Sequence, residues 1–422
     1  MEVLHINHQD GKNGGGRAAY RLHRGLRREE VASKMFVQEK DSEDDAVHTF
    51  EPPLNSWARL IRSLRRNRIN YSFSRYRDKR PERAEPFCED RTQHNGRVLP
   101  QCPEADVFNL HSIYGFLDHG SFFRNVSVPV VWTLHDMNAF TGGCQYNISC
   151  TRYQQSCGQC PQLGSDTEKD LSREVWSRKQ QAYRHVIEDD RLCVVCPSRW
   201  MGEKAQQSSL FRDVPVNVIP NSLDTEVFCP RDTNGLSSTL EIPTENSTVL
   251  FLAASTGRTR KGFDLFSGAV ASLEENDVSF VSVGSGRPEL PEHLHHVHLG
   301  SIENDRLLSL IYSLSDIYVI PSRQDNLPST VLESMACGTP TVGFDVGGIP
   351  DMVRPGETGW LAEEGDVLRL RAAIDAALAS DAEREQFGRR CREVAKNEYA
   401  LEEQGRAYRR LYEDLLRSSK SE

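Results

Sequence analysis

The stretch PSRQDNLPSTVLESMACGTPTVGFDVGGIPDMV, residues 321–353, decides the fold. It begins where the apolar run IYVIP stops, in a polar loop that carries Asp325, Asn326 and Leu327. Pro328 has the fixed φ that suits a helix start, and the spacing predicts a helix over 329–337 with Glu333 inside it. A second apolar run, TPTVGFD, follows and ends at Asp345, with Gly347 and Gly348 just beyond. Strand, loop, helix and strand in so few residues make a βαβ unit. The free amides at the helix start can hold an anion. Asp325 and Glu333 can accept hydrogen bonds from sugar hydroxyls, and the paired glycines let a ligand approach the backbone.

The same alternation runs outward in both directions. EVLHIN, ADVFNLHS, VPVVWTLH and LCVVCPS read as strands in the first half, and STVLFLAAS and VSFVSVG join them in the second. Helical patterns over 16–28, 171–187, 306–314 and 401–416 separate or follow them. A chain of 422 residues has room for two or three domains. The expected class is α/β, with two doubly wound parallel sheets. The expected domains are 1–217, 218–395 and a closing helical segment, 396–422, packed back toward the first domain.

Ligands of such sheets bind beyond the carboxyl ends of the strands, and the remaining polar motifs all stand there. STGRTRKGFDLF (255–266) gathers Arg258, Arg260 and Lys261 after a strand. Fixed guanidinium and ammonium groups there suit a diphosphate. VGSG (283–286) places Gly284 in a turn. HQDGKNGGGRAAYRL places Gly14, Gly15 and Gly16 between strand 1 and a helix. WTLHDMNAF places His135 and Asp136 just past a strand, where a histidine can act as acid, base or sugar partner. Each motif alone is an ordinary turn, loop or core feature. Together, at successive strand ends in both halves, they point to a shared site.

These motifs resemble the retaining glycosyltransferases of family 4, which have the GT-B architecture of two Rossmann-like domains facing across a cleft. The similarity is to the colanic-acid-type exopolysaccharide branch. It rests on WTLHDMNAFTGGCQY, VIPNSLD, RKGFDL and DNLPSTVLESMACGTPTVGFDVGGIPDM. The resemblance implies transfer of a hexose, with retention, from a UDP- or GDP-sugar to a hydroxyl of a glycan or lipid-linked saccharide. It implies that no cofactor or catalytic metal is required. Lys261 then matches the lysine on the donor phosphates, and Arg258 its arginine partner, with Arg260 as a rival. Glu333 matches the second acid of the family's Glu-seven-Glu motif, on the ribose, and Asp325 stands where the first is usually Glu. Gly15 and Gly16 match the loop near the diphosphate, and His135 the histidine facing the transferred sugar. Gly284, Asn326, Leu327 and Pro328 complete the expected donor site. A GT-B phosphorylase, a sugar-nucleotide epimerase and a non-enzymatic nucleic-acid binder are the alternative readings.

Eleven cysteines are an odd number, and four fall within seventeen residues: Cys144, Cys150, Cys157 and Cys160. Four thiolates can close a tetrahedral zinc site, so a structural zinc is one expectation for this loop and free or paired thiols the other. Cys193 and Cys196 lie on one strand pattern, facing opposite sides, and read as packing.

Lys+Arg total 51 against 61 Asp+Glu, a net charge of -10, which excludes a uniformly basic nucleic-acid coat protein. Residues 55–83 depart from that balance, with ten basic and two acidic side chains, a local +8. Within them Trp57, Leu60, Ile61 and Leu64 recur at i, i+3, i+4 and i+7. An amphipathic basic helix over 56–76 is expected, either packed on its own domain or lying on an anionic membrane surface. No apolar run reaches membrane-spanning length and the N-terminus lacks a signal-peptide pattern. The expected location is the cytoplasm, with peripheral contact at the cytoplasmic face of the plasma membrane.

Overall fold

The computed structural model describes residues 1–11, 14–243, 245–252, 257–271, 273 and 278–418. The chain divides into two compact units, Met1–Asn221 with Gln404–Glu422, and Ser222–Glu403. The division therefore lies at 221/222 rather than 217/218, and the helix Asp381–Glu398 belongs wholly to the second unit.

Unit 1 is built on seven parallel strands: β1 (Glu2–Gln9), β2 (Ala32–Glu39), β3 (Val47–Thr49), β4 (Val107–Leu110), β5 (Val130–Thr133), β6 (Leu192–Cys196) and β7 (Val216–Val218). Their order is β3-β2-β1-β4-β5-β6-β7. The central strands are mostly apolar because both faces are covered; every residue of β4, β5 and β6 is buried, including the polar Asn109 and Thr133. Cys193 packs in the core of one face and Cys196 in that of the other. The closing helix Leu401–Ser418 supplies Tyr408 and Tyr412, both fully buried, to the Cys193 face. Asn109 donates to Tyr412 Oη at 2.6 Å, and Thr133 Oγ1 lies 2.9 Å from Tyr408 Oη. That anchorage explains why a helix so late in sequence belongs to the first unit.

Unit 2 has six parallel strands: β8 (Ser247–Leu252), β9 (Val278–Val283), β10 (His295–His298), β11 (Ile317–Ile320), β12 (Thr341–Phe344) and β13 (Gly359–Ala362). Their order is β10-β9-β8-β11-β12-β13. In both sheets the strand order reverses once, between β1 and β4 in unit 1 and between β8 and β11 in unit 2. Such reversal points open a crevice at the carboxyl ends of the strands. The eight-residue β2 and the short strands β3, β7, β10 and β13, absent from the sequence reading, complete the sheets around these centres.

Candidate functional site

In unit 2 the loops after β8, β11 and β12 meet. The first two residues of the STGRTRKGFDLF element lie outside the described residues; the rest forms a tight turn over Thr259–Lys261 and then the helix Phe263–Val270. Gly262 links them at φ +66, where a Cβ would stand 1.8 Å from the Pro321 carbonyl oxygen. Only glycine lets the β8 loop touch the β11 loop this closely. Arg323 N donates to the Arg260 carbonyl at 2.8 Å, and the Arg323 guanidinium forks onto Asp264 at 2.6 and 2.7 Å.

This contact carries Asp325 into a buried ion cluster. Lys261 Nζ lies 2.7 Å from Asp325 Oδ2, and Arg260 Nη1 lies 3.1 Å from Oδ1. Arg260 also donates to the Gln324 carbonyl at 2.7 Å, and Ser322 Oγ to Asp325 Oδ2 at 3.1 Å. Burial alone would raise the Asp325 pKa. The charges of Lys261 and Arg260, with hydrogen bonds from Lys261 and Ser322, outweigh it and bring the value to about 2. The backbone behind Asp325 is fixed by Gly347 (φ +59), whose Cβ position is 2.0 Å from the Asp325 carbonyl, and by Gly348 N donating to that oxygen at 3.0 Å.

Lys261 is the more exposed of the two cations, and an ammonium fixed there suits a phosphate group. Beside Lys261, at the β8/β11 reversal point, lies a cavity of about 240 Å³ lined by Phe251, Phe263, Tyr318, Ser322 and Thr330 among others. An apolar wall with a cation at its edge fits a planar or sugar-bearing ligand ending in phosphate. Asn326, Leu327 and Pro328 are buried, and the helix Ser329–Ala336 starts directly after Pro328. Glu333 is buried on that helix, with Tyr312 Oη 3.5 Å from its Oε2. Gly284 sits past β9 at φ +146, its amide donating to the Gly300 carbonyl at 2.8 Å. Arg258 is exposed, so the structure brings Arg260, not Arg258, onto Asp325 beside Lys261.

In unit 1 His135 stands just past β5. Its Nε2 lies 3.0 Å from His111 Nδ1, and His111 Nε2 lies 3.0 Å from His5 Nδ1. Burial lowers the His135 pKa to about 4 and holds His5 and His111 well below the usual histidine value. At neutral pH the chain is therefore uncharged, and the central His111 ring uses one N–H and one lone pair to bridge its neighbours. The sequence reading found His135 but not His5 or His111. Gly15 and Gly16 lie in the first turn of the helix Gly14–Arg28, Gly16 buried. At the β1/β4 reversal point is a crevice of about 500 Å³, lined on one side by His8, Gln9 and Tyr114 and on the other by Ile69, Phe73 and Glu89.

Residues 246–380 match the protein family described as Glycosyl transferases group 1. Among curated proteins, the chain is 28% identical over 214 residues to N-acetyl-alpha-D-glucosaminyl L-malate synthase of Bacillus anthracis, covering 49% of this chain and 55% of that one. It is 32% identical over 212 residues to D-inositol 3-phosphate glycosyltransferase of Mycobacterium marinum, covering 47% and 44%. The chain thus spans about half the length of the curated relatives it matches. Among solved structures, it resembles sucrose-phosphate synthase from Thermosynechococcus elongatus at TM-score 0.65 and 16% identity, covering 99% of this chain and 100% of that one. Anabaena HepE in complex with UDP and glucose aligns at TM-score 0.62 and 14% identity, covering 98% and 100%. These likenesses show the fold: α/β, two Rossmann-like domains, the GT-B architecture.

Proposed function

With a glycosyl transferases group 1 domain in unit 2 as the premise, we propose that the chain is a retaining hexosyltransferase. It moves a sugar from a UDP- or GDP-linked donor to a hydroxyl of a glycan or lipid-linked saccharide, in exopolysaccharide or cell-surface glycan synthesis. The observation that carries the reading is the Arg260–Asp325–Lys261 cluster beside the unit 2 cavity. HepE, crystallised with UDP and UDP-glucose, and the named glycosyltransferase relatives support the donor class.

In this reading unit 2 binds the donor. Lys261, Arg260 and the amides opening the helix Ser329–Ala336 face the diphosphate, and Glu333 takes the ribose. As the anomeric bond breaks, charge grows on the leaving diphosphate, and preplaced cations stabilise that charge without reorganising. Asp325 holds Lys261 in place and accepts a hydrogen bond from the donor sugar. Unit 1 supplies the acceptor crevice and His135, a neutral hydrogen-bond partner for a sugar hydroxyl.

The same proposal includes a membrane contact. In the helix Ser56–Ser74 only Ala58 is buried. Trp57 is 71% exposed and Leu64 60%, with Leu54, Leu60 and Tyr71 also exposed, so the apolar stripe does not pack on the domain. Ile69 and Phe73 on another face line the crevice instead. Arg62 and Arg65 tie the helix down through Pro53 O and Asn95 Oδ1, while Arg59, Arg66 and Arg68 are exposed. Outward tryptophan and leucine among arginines suit an anionic lipid surface, where a lipid-linked acceptor would reside. No helix among the described residues is long and apolar enough to cross a membrane.

The test incubates the purified protein with a panel of sugar nucleotides and saccharide acceptors. Nucleotide release and a product heavier by one hexose support the reading. Donor interconversion without acceptor, or phosphate-dependent cleavage without nucleotide, overturns it.

A further inference from the structure

Between β5 and the helix Leu171–Glu188 the chain runs for 37 residues with only three single turns of 3-10 helix, Asn138–Phe140, Arg152–Gln154 and Pro161–Leu163. Irregular segments this long are uncommon inside a domain and need something to hold them. Part of this one packs into the main core of unit 1 through Met137, Phe140 and Tyr153, while the cluster at its Cys160 end is small, with four buried residues: Cys160, Leu163, Leu171 and Val175. Cys144, Cys150, Cys157 and Cys160 all line one cavity of about 20 Å³ in this segment. All four are free thiols.

The backbone around the sulfurs is held by its own hydrogen bonds. Cys157, Gly158 and Gln159 have φ of +52, +97 and +44, and their amides donate to Arg152 O, Ser172 Oγ and Thr167 O. Gly142 N donates to Cys157 Sγ at 3.1 Å. The nearby charges are of both signs: Asp170 Oδ2 accepts from Cys160 N at 2.8 Å, and Glu168 pairs with Arg173 at 3.4 Å. Lys179 is fully buried and donates to the carbonyl oxygens of Asn138 and Thr141. Arg173 donates twice to the Cys157 carbonyl, and Arg80 to the Gln162 carbonyl.

We propose that Cys144, Cys150, Cys157 and Cys160 form a four-thiolate centre for a thiophilic metal, which clamps this loop behind the His135–Asn138 segment. Binding replaces four S–H protons, released to solvent, by four metal–sulfur bonds. A divalent ion with four thiolates carries two negative charges, opposite the cations of Lys179 and Arg80. Among the described residues no three such groups are already gathered as a bound ion would hold them. The sulfurs ring the cavity, and an arriving metal draws them inward. A single zinc ion and an iron–sulfur cluster share this ligand chemistry.

The experiment uses the full chain purified without chelators, part of it anaerobically. Elemental analysis is expected to give about one zinc per chain, or several irons with visible absorption. Titration with a mercurial is expected to release the metal as the first four thiols react. In Cys157→Ser/Cys160→Ser, if it folds, the metal content falls at least about tenfold, since two of four ligands are lost. A folded wild-type chain that carries no metal from either preparation and takes up neither zinc nor iron, its cysteines free or paired as disulfides, overturns the proposal.

Discussion

Lys261 Nζ lies 2.7 Å from Asp325 Oδ2, so the cation assigned to the donor phosphates is held by the acid assigned to the donor sugar. One carboxylate serves two duties, and removing it leaves Arg260 and Lys261 facing each other without a counter-charge. Asp325→Asn is expected to lower stability by about 3 kcal/mol, as when one partner of a buried ion pair is lost. Urea unfolding at pH 7 measures it. The folded Asp325 pKa, about 2, is below that of the unfolded chain. Its contribution is therefore complete above about pH 4 and is lost as pH falls through 2. Equal stability of the two proteins at pH 7 contradicts the cluster's role.

Gly262→Ala tests the closeness of the two loops. The added methyl meets the Pro321 carbonyl in a left-handed backbone that disfavours alanine. A loss of more than about 1 kcal/mol is expected, together with weaker nucleotide binding by calorimetry, because Lys261 precedes this glycine. Unchanged affinity separates the turn from the donor site.

Unit 1 carries an acid-sensitive core. His5, His111 and His119 are buried, and all three have lowered pKa values, that of His119 to about 3. Burial is the main cause in each. His23 adds to it at His5; His135 and His5 add at His111. At His119, Lys179 and Arg178 add to it while Asp90 opposes. The unfolded chain binds these protons below about pH 6.5 and the native one does not, so stability is full above 6.5 and falls beneath it. Each contributes a slope of up to about 1.4 kcal/mol per pH unit. Urea midpoints at pH 7, 6 and 5 should drop steadily; a flat profile contradicts the neutral histidine core.

The exposed apolar stripe predicts membrane binding without a stability cost on its removal. Trp57→Ser/Leu64→Ser should reduce co-sedimentation with anionic liposomes by more than about tenfold, because each side chain gives at least about 1.5 kcal/mol on burial. Unfolding should shift by less than about 0.5 kcal/mol. Equal binding of wild type and variant, or none by either, removes the membrane contact.

The sheets were legible because parallel strands covered on both faces are short apolar runs, and VPVVWTLH or LCVVCPS can hardly be anything else. Short peripheral strands such as Val47–Thr49 and His295–His298 escaped, since three or four mixed residues have no period of their own. Motif spacing located Lys261, Asp325 and Glu333. The resemblance, not the spacing, matched Arg258 to the partner arginine with Arg260 as a rival; the inward turn of Thr259–Lys261 that brings Arg260 onto Asp325 is set by the Pro321 loop, a contact 59 residues away that the local sequence does not encode. The histidine chain had a faint signal: EVLHIN carries a histidine within its strand, and ADVFNLHS and VPVVWTLH each carry one just past the strand end. Only the order β1-β4-β5 makes them neighbours.

The central claim is that Lys261 and Arg260 stabilise a leaving nucleoside diphosphate. Nucleotide release from the preferred sugar nucleotide, compared for wild type, Lys261→Ala and Glu333→Ala at saturating acceptor, tests it most directly. The account predicts that Lys261→Ala lowers kcat/KM roughly 100- to 1,000-fold, the loss typical of one preplaced donor to developing charge. Glu333→Ala should act mainly through KM for the donor. Lys261→Ala turning over like wild type, or a folded wild type that releases no nucleotide from any donor, would contradict it.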